Sequence, residues 1–259
     1  MPSRPLLDGI GGLTNGGKRR IIELDLWAKA LPPGGEASAA NRKAENMRIY
    51  KKAAAAALAL ALAASSAPGA RAYSLPYTDV DQSHWAYEDI LYVSQWDILG
   101  GRTETGFCPD EPLTRAEYVE TLAGLAHAGL DRYPGSEFTD VEETAPYAAA
   151  ANWAFRQGVV DGVGEGKFDP EGAITREQMA AMSHRFYKVM GIHYGGEIDE
   201  VPYTDKEQIH DWALDAVRAM YTSGIMKGRE TGAFDPQANV TRAETAAIAR
   251  RIYLDVEDY

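Results

Sequence analysis

The chain has one cysteine, Cys108, so an intramolecular disulfide is excluded and stability must come from burial. Long apolar runs are also scarce: the twelve-residue stretch Ala53 to Ala64 is too short to span a bilayer comfortably. The histidines (His84, His127, His184, His193 and His210) are too scattered for a zinc signature. Ser, His and Cys do not fall into a nucleophile motif. Carboxylates are abundant, yet no pair suited to glycoside hydrolysis stands out by spacing, and Asp161 to Asp169 lacks the EF-hand ligand pattern. No catalytic role and no cofactor are expected. Positive charge thins out after residue 72, where 15 Lys and Arg face 33 Asp and Glu, a net of −18. Such a chain is a poor ligand for nucleic acid or an anionic membrane surface.

The first 72 residues have the opposite balance, 11 basic against 5 acidic. Met47 to Lys52 forms a basic opening, Ala53 to Ala64 an apolar stretch, and Ala70-Arg71-Ala72 supplies small residues two apart. These parts in that order predict a secretory signal peptide over 47–72, cleaved after Ala72, leaving no membrane insertion. Residues 1–46, rich in Gly, Pro and Ala, read as a gene-model extension ahead of a start at Met47, or as disordered.

What the chain has in quantity is repetition. Phe107-Cys108-Pro109 precedes Thr114-Arg115-Ala116-Glu117; Phe168-Asp169-Pro170 precedes Thr175-Arg176-Glu177-Gln178; Phe234-Asp235-Pro236 precedes Thr241-Arg242-Ala243-Glu244. Phe and Thr are seven apart each time. Thr followed by Glu or Gln three residues on is a capping box, predicting helices over 115–128, 176–190 and 242–253. The Arg is not explained by capping. A cation in the first turn opposes the helix dipole, beside amides that favour an anion. Arg115, Arg176 and Arg242 therefore suggest either an awaited anion or an ion pair with an acid of a neighbouring repeat.

A second block recurs upstream. Asp79, Asp140 and Asp205 follow an aromatic-Thr pair and read as N-caps of helices over 84–96, 146–157 and 211–223. Trp85 and Trp212 open two of these helices; Pro146-Tyr147 stands in the other. Gly158 and Gly224 fit the left-handed residue that closes a helix, and Asp97 takes that place in repeat one with some strain. About 60 residues with two short helices cannot bury enough alone, so the units should pack on one another.

Taken together, these motifs resemble three tandem S-layer homology repeats, at 77–137, 138–202 and 203–259. The resemblance implies an all-α fold of helix–loop–helix units packed as a pseudo-threefold prism. It also implies a secreted, cell-wall or S-layer location and a non-catalytic anchoring role. The implied partner is an anionic secondary cell-wall polymer or peptidoglycan-linked polysaccharide, often pyruvylated, with S-layer or other envelope proteins as further partners. The implied ligand-binding residues are Arg115, Arg176 and Arg242, with Asp79, Asp140, Asp205, Trp85, Trp212, Gly158 and Gly224. A ketal-pyruvate is a sugar-borne carboxylate, which suits a guanidinium fork. Asp97 and the Pro146 departure favour the Gly-bearing repeats, with Arg176 and Arg242 as leading ligands. A secreted helical scaffold binding another envelope protein is the competing reading.

Overall fold

The computed structural model describes residues 74–193, 196 and 198–257; the expected signal peptide and the 1–46 extension lie outside them. Among the described residues the architecture is helical, with no named strand. Each repeat contributes two helices: α1 (Tyr87–Gln95) and α2 (Arg115–Leu125), α3 (Ala148–Arg156) and α4 (Arg176–Met190), α5 (Asp211–Thr222) and α6 (Arg242–Glu257). A short 3-10 turn at Leu130–Arg132 follows α2, and another at Lys206–Gln208 lies inside repeat three, between Asp205 and α5; neither was expected.

The second helix of every repeat starts where the capping box places it. Thr114, Thr175 and Thr241 accept from the amide three residues on, at 3.2, 3.4 and 3.2 Å. Glu117, Gln178 and Glu244 return to the Thr amides at 2.9, 3.1 and 3.1 Å. The first helices are a different matter. Ala86, Tyr147 and His210 occupy their N-cap positions without any side-chain cap bond, so the early Asp residues do not cap them. Each Asp instead reaches a loop some thirty residues downstream. Asp79 accepts from the amides of Phe107 and Cys108 at 2.9 and 2.7 Å. Asp140 does so from Phe168 and Asp169 (both 2.8 Å), and Asp205 from Phe234 and Asp235 at 2.7 and 2.8 Å. The pairs fix the Phe-x-Pro turn, whose middle residue is left-handed in all three copies: Cys108, Asp169 and Asp235 have φ of 59, 58 and 55°.

Helices of one repeat do not serve as each other's main partner. α5 packs on α4, α3 on α2, and α1 on α6, so each first helix lies against the second helix of the preceding repeat, and repeat one lies against repeat three. Short backbone contacts follow the same cycle. The amide of Leu113 donates to the carbonyl of Val240, that of Val240 to Ile174, and that of Ile174 to Leu113. All three side chains are fully buried, each worth about 1.5–3 kcal/mol of apolar transfer. A 60-residue unit thus completes its core with its neighbours' helices.

Repeat one carries the strain expected at its helix end. Asp97 has φ of +52°, where Gly158 and Gly224 have +73° and +72°. A side chain at φ > 0 costs about 1–2 kcal/mol, partly offset by the greater unfolded-state entropy of glycine. Asp97→Gly should therefore raise stability by about 0.5–1 kcal/mol, read as a higher urea midpoint with an unchanged slope.

Candidate functional site

The three motif arginines sit at the N1 position of α2, α4 and α6, and all are buried, Arg242 to 1% exposure. Each crosses to the next repeat. Arg115 lies over the ring of Phe168, Arg176 over Phe234 and Arg242 over Phe107, with guanidinium carbons 5.0, 5.0 and 4.8 Å from the ring centroids. Their Nε atoms donate to the carbonyl of that same Phe. The first two helix amides are also taken. Arg115 N and Ala116 N donate to Gly172 and Pro170, Arg176 N and Glu177 N to Ala238 and Pro236, and Arg242 N and Ala243 N to Glu111 and Pro109. Since Thr holds the third amide, the helix entrance offers no free N–H to an anion. The cation is there because it plugs the next repeat's Phe-x-Pro turn, outweighing its small conflict with the dipole.

The remaining nitrogens distinguish the arginines. Arg242 donates through Nη1 to Glu117 at 2.6 Å and through Nη2 to the Gly100 carbonyl, so every arm of its fork is engaged. Arg176 donates through Nη2 to the Lys227 carbonyl at 2.9 Å, and its Nη1 stands 3.8 Å from Glu244. Arg115 makes its Nε bond only; its terminal nitrogens have no hydrogen-bond partner among the described residues. Burial pushes all three guanidiniums below the ordinary arginine value, although neighbouring carboxylates oppose it, and arginine stays cationic regardless.

These crossings change the ranking of the arginines. Arg242 bonds Gly100 in the turn of the following repeat, so the strained Asp97 turn belongs to the Arg242 junction. Arg176 meets the turn begun by Gly224 through the Lys227 carbonyl. Arg242, expected as a leading ligand, already has its donors taken by Phe107, Glu117 and Gly100.

The Arg176 junction opens into a cleft. It is lined by Arg176 from repeat two, by Lys227, Gly228, Arg229, Glu244 and Arg251 from repeat three, and by Trp85 from repeat one. Arg229 is tied to Glu244 and Asp235. Arg251 Nη1 donates to the Ile225 carbonyl at 3.0 Å, and the Lys227 side chain is exposed. In a domain carrying −18, four cations against one acid make this a local reversal of sign. Trp85 and Trp212 are 63% and 57% exposed, so neither is a core residue. Each has a histidine stacked on it: His84 on Trp85 at 5.9 Å and His210 on Trp212 at 6.1 Å.

Gly224 ends α5 and does not line the cleft; a Cβ there, or on Gly158, would meet nothing within 4 Å. The glycine that matters sterically is the second of each turn, which sequence reasoning missed. A Cβ on Gly228 would lie 2.8 Å from the Tyr203 ring, one on Gly101 2.5 Å from Tyr77, and one on Gly162 2.4 Å from the Lys167 carbonyl. The pair between buried Glu177 and exposed His210 (2.8 Å) was also missed, because Glu177 stands where the other copies have Ala and pairs only across the repeat boundary.

Several carboxylates are held ionised by the scaffold. Burial pushes Asp79 and Asp140 up, but the paired turn amides outweigh it and leave both below the ordinary aspartate value. Burial likewise raises Glu117, and Arg102, the Thr114 amide and Arg242 overcome it. Folded values below unfolded ones mean stability that is complete above the unfolded range, about 3.9–4.3, and lost as pH falls through the folded values. The stability these carboxylates supply should thus hold from neutral pH down to about 5 and be lost once the pH passes about 4, read as a falling thermal midpoint.

A tandem helical module with an inter-repeat cleft is the class this geometry defines, and the family follows from comparison. The family model for the S-layer homology domain matches residues 76–119, 137–180 and 202–246, and the chain belongs to that family. Relatives include an amylopullulanase of Thermoanaerobacterium thermosulfurigenes, 32% identical over 68% of this chain and 9% of its own length. An S-layer protein of Bacillus thuringiensis subsp. finitimus is 27% identical over 76% of this chain and 24% of its own. A cellulosome-anchoring protein of Acetivibrio thermocellus is 27% identical over 68% and 38%. The chain thus spans well under two thirds of these relatives. Among the described residues no helix is long and apolar enough to cross a membrane.

Proposed function

We propose that this chain is a non-catalytic anchor that holds its bearer to the cell wall by gripping an anionic unit of a wall polysaccharide, a pyruvylated sugar foremost. The observation that carries the reading is the cationic cleft at Arg176, with the exposed Trp85 on its rim, in an otherwise acidic domain. A sugar-borne carboxylate suits Arg176, Lys227 and Arg251, and the indole offers the ring an apolar platform. Relatives named as S-layer and cellulosome-anchoring proteins support a surface role, and the shared stretch of the enzyme relatives is this repeat region rather than the bulk of their length. The cyclic packing of the repeats supports the prism expected of the family. Secretion through the 47–72 signal belongs to the same reading.

The test is sedimentation of the full chain with purified cell-wall sacculi, before and after mild acid removal of pyruvate. Loss of binding after acid treatment is expected. Equal binding to both preparations would favour the scaffold reading or another wall ligand. Salt supplies a further check. Long-range repulsion between a −18 domain and an anionic polymer is screened over about 10 Å at moderate salt, while the contact pair persists. Binding should therefore hold or strengthen as NaCl rises from about 0.05 to about 0.5 M, and a steep loss would contradict it.

A further inference from the structure

We infer that the chain has two anion-binding grooves, at Arg176 and Arg115, and that the third junction, at Arg242, has been converted into a closed structural contact. The inference rests on the anchoring reading above and says how many grips the anchor has.

The internal offsets of 61 and 66 residues carry the lining of the Arg176 cleft onto the other junctions. At that cleft the decisive positions hold Trp85, Lys227, Ala247 and Arg251. The corresponding positions at the Arg115 junction are Trp212, Asp161, Ala181 and Arg185. Trp212 is exposed and backed by His210, as Trp85 is by His84. Asp161 is neutralised by Arg185 at 2.7 Å. The arginine beneath is more than nine-tenths buried, yet its terminal nitrogens have no protein partner among the described residues.

The feature that ties up a guanidinium elsewhere is missing here in both halves. In repeats one and three an arginine (Arg102 or Arg229) bonds the capping-box glutamate, which faces the incoming motif arginine. Repeat two has Val163 and Gln178 at those two positions. Arg115 therefore meets no carboxylate at the place where Glu117 holds Arg242. A buried fork with an unused pair of nitrogens and an indole platform suits a sugar with one carboxylate, with Asp169 and Asp140 the protein acids whose charge it already feels.

The Arg242 junction departs in every respect. Pro146 replaces the indole, Gly100 and Gly124 replace Lys227 and Arg251, and Glu120 replaces Ala247. Glu117 occupies Arg242 directly and is bonded by Arg102 as well. Two acids, no platform and no free donor leave nothing for an anion to bind.

The experiment is an amide and indole NMR titration of the full chain with a monosaccharide bearing a ketal-linked pyruvate, using Trp85→Ala and Trp212→Ala to assign the two indole signals. Both tryptophans are exposed, so the variants should keep the fold and its urea midpoint. Saturable shifts are expected at both indoles and at the amides of 227–229 and 161–163, with none at 100–102. Each variant should abolish the response of its own groove and leave the other within about twofold. Shifts at only one junction, or at 100–102 as well, would overturn the count of two while leaving the anchoring reading in place. No shift anywhere, with sacculus binding indifferent to acid treatment, would overturn both.

Discussion

Replacing Arg242 by alanine is expected to cost the fold about 3–5 kcal/mol, the usual penalty for removing one partner of a buried ion pair. That is a large share of the roughly 5–15 kcal/mol by which a domain is stable. The side chain is 1% exposed, lies on the Phe107 ring, and bonds Phe107, Gly100 and Glu117. Its loss unfastens repeat three from repeat one and leaves those acceptors short of a donor. Lysine should not rescue it, because an ammonium cannot reproduce three divergent N–H bonds beside a ring. The three arginines should differ. Arg176→Ala removes two carbonyl bonds and a longer pairing with Glu244, and Arg115→Ala removes one bond. Urea unfolding should rank the losses Arg242, then Arg176, then Arg115, with the last about 2 kcal/mol milder than the first. Equal losses would mean that the ring contact alone matters and the hydrogen bonds do not.

The second large effect is on binding rather than folding. Reversing both rim charges of the Arg176 cleft, with Lys227→Glu and Arg251→Glu together, should weaken sacculus binding on the order of 100-fold, about 2.7 kcal/mol. Lys227 is exposed and has no ion pair among the described residues, and Arg251 contributes one bond to the Ile225 carbonyl. The variant should therefore stay folded, within about 1 kcal/mol of the parent. The same reversal at Arg132, outside the cleft, should leave binding within about twofold although the net charge changes in the same direction. Comparable losses from both changes would show that overall charge, not the cleft, governs attachment.

Local chemistry was legible in the sequence where it acts locally. The capping boxes place the starts of α2, α4 and α6 because Thr and its partner are three residues apart. The left-handed Asp97 was legible from its alignment with Gly158 and Gly224. What could not be read were contacts between repeats. Arg242 meets Phe107 across 135 residues, and no periodicity marks such a pair. For the same reason the helix entrances looked open to an anion, when the loop of the next repeat fills them. The early Asp residues were misplaced because an Asp before a helix usually caps it. Here the amides of a turn about thirty residues away claim it instead. Trp85 and Trp212 lie on the solvent side of their helix entrances, and hydrophobicity alone gave no sign of that.

The arginine that locks one repeat to the next also forms the floor of the cleft at Arg176, and that double use is the centre of this account. The most direct measurement is calorimetric titration of the full chain with a ketal-pyruvate monosaccharide and with its methyl ester, which keeps the shape and removes the charge. The acid should bind, and the ester should bind at least about 30-fold more weakly, a difference of about 2 kcal/mol. Equal affinity for acid and ester would contradict recognition of a sugar-borne carboxylate by these guanidinium and ammonium groups.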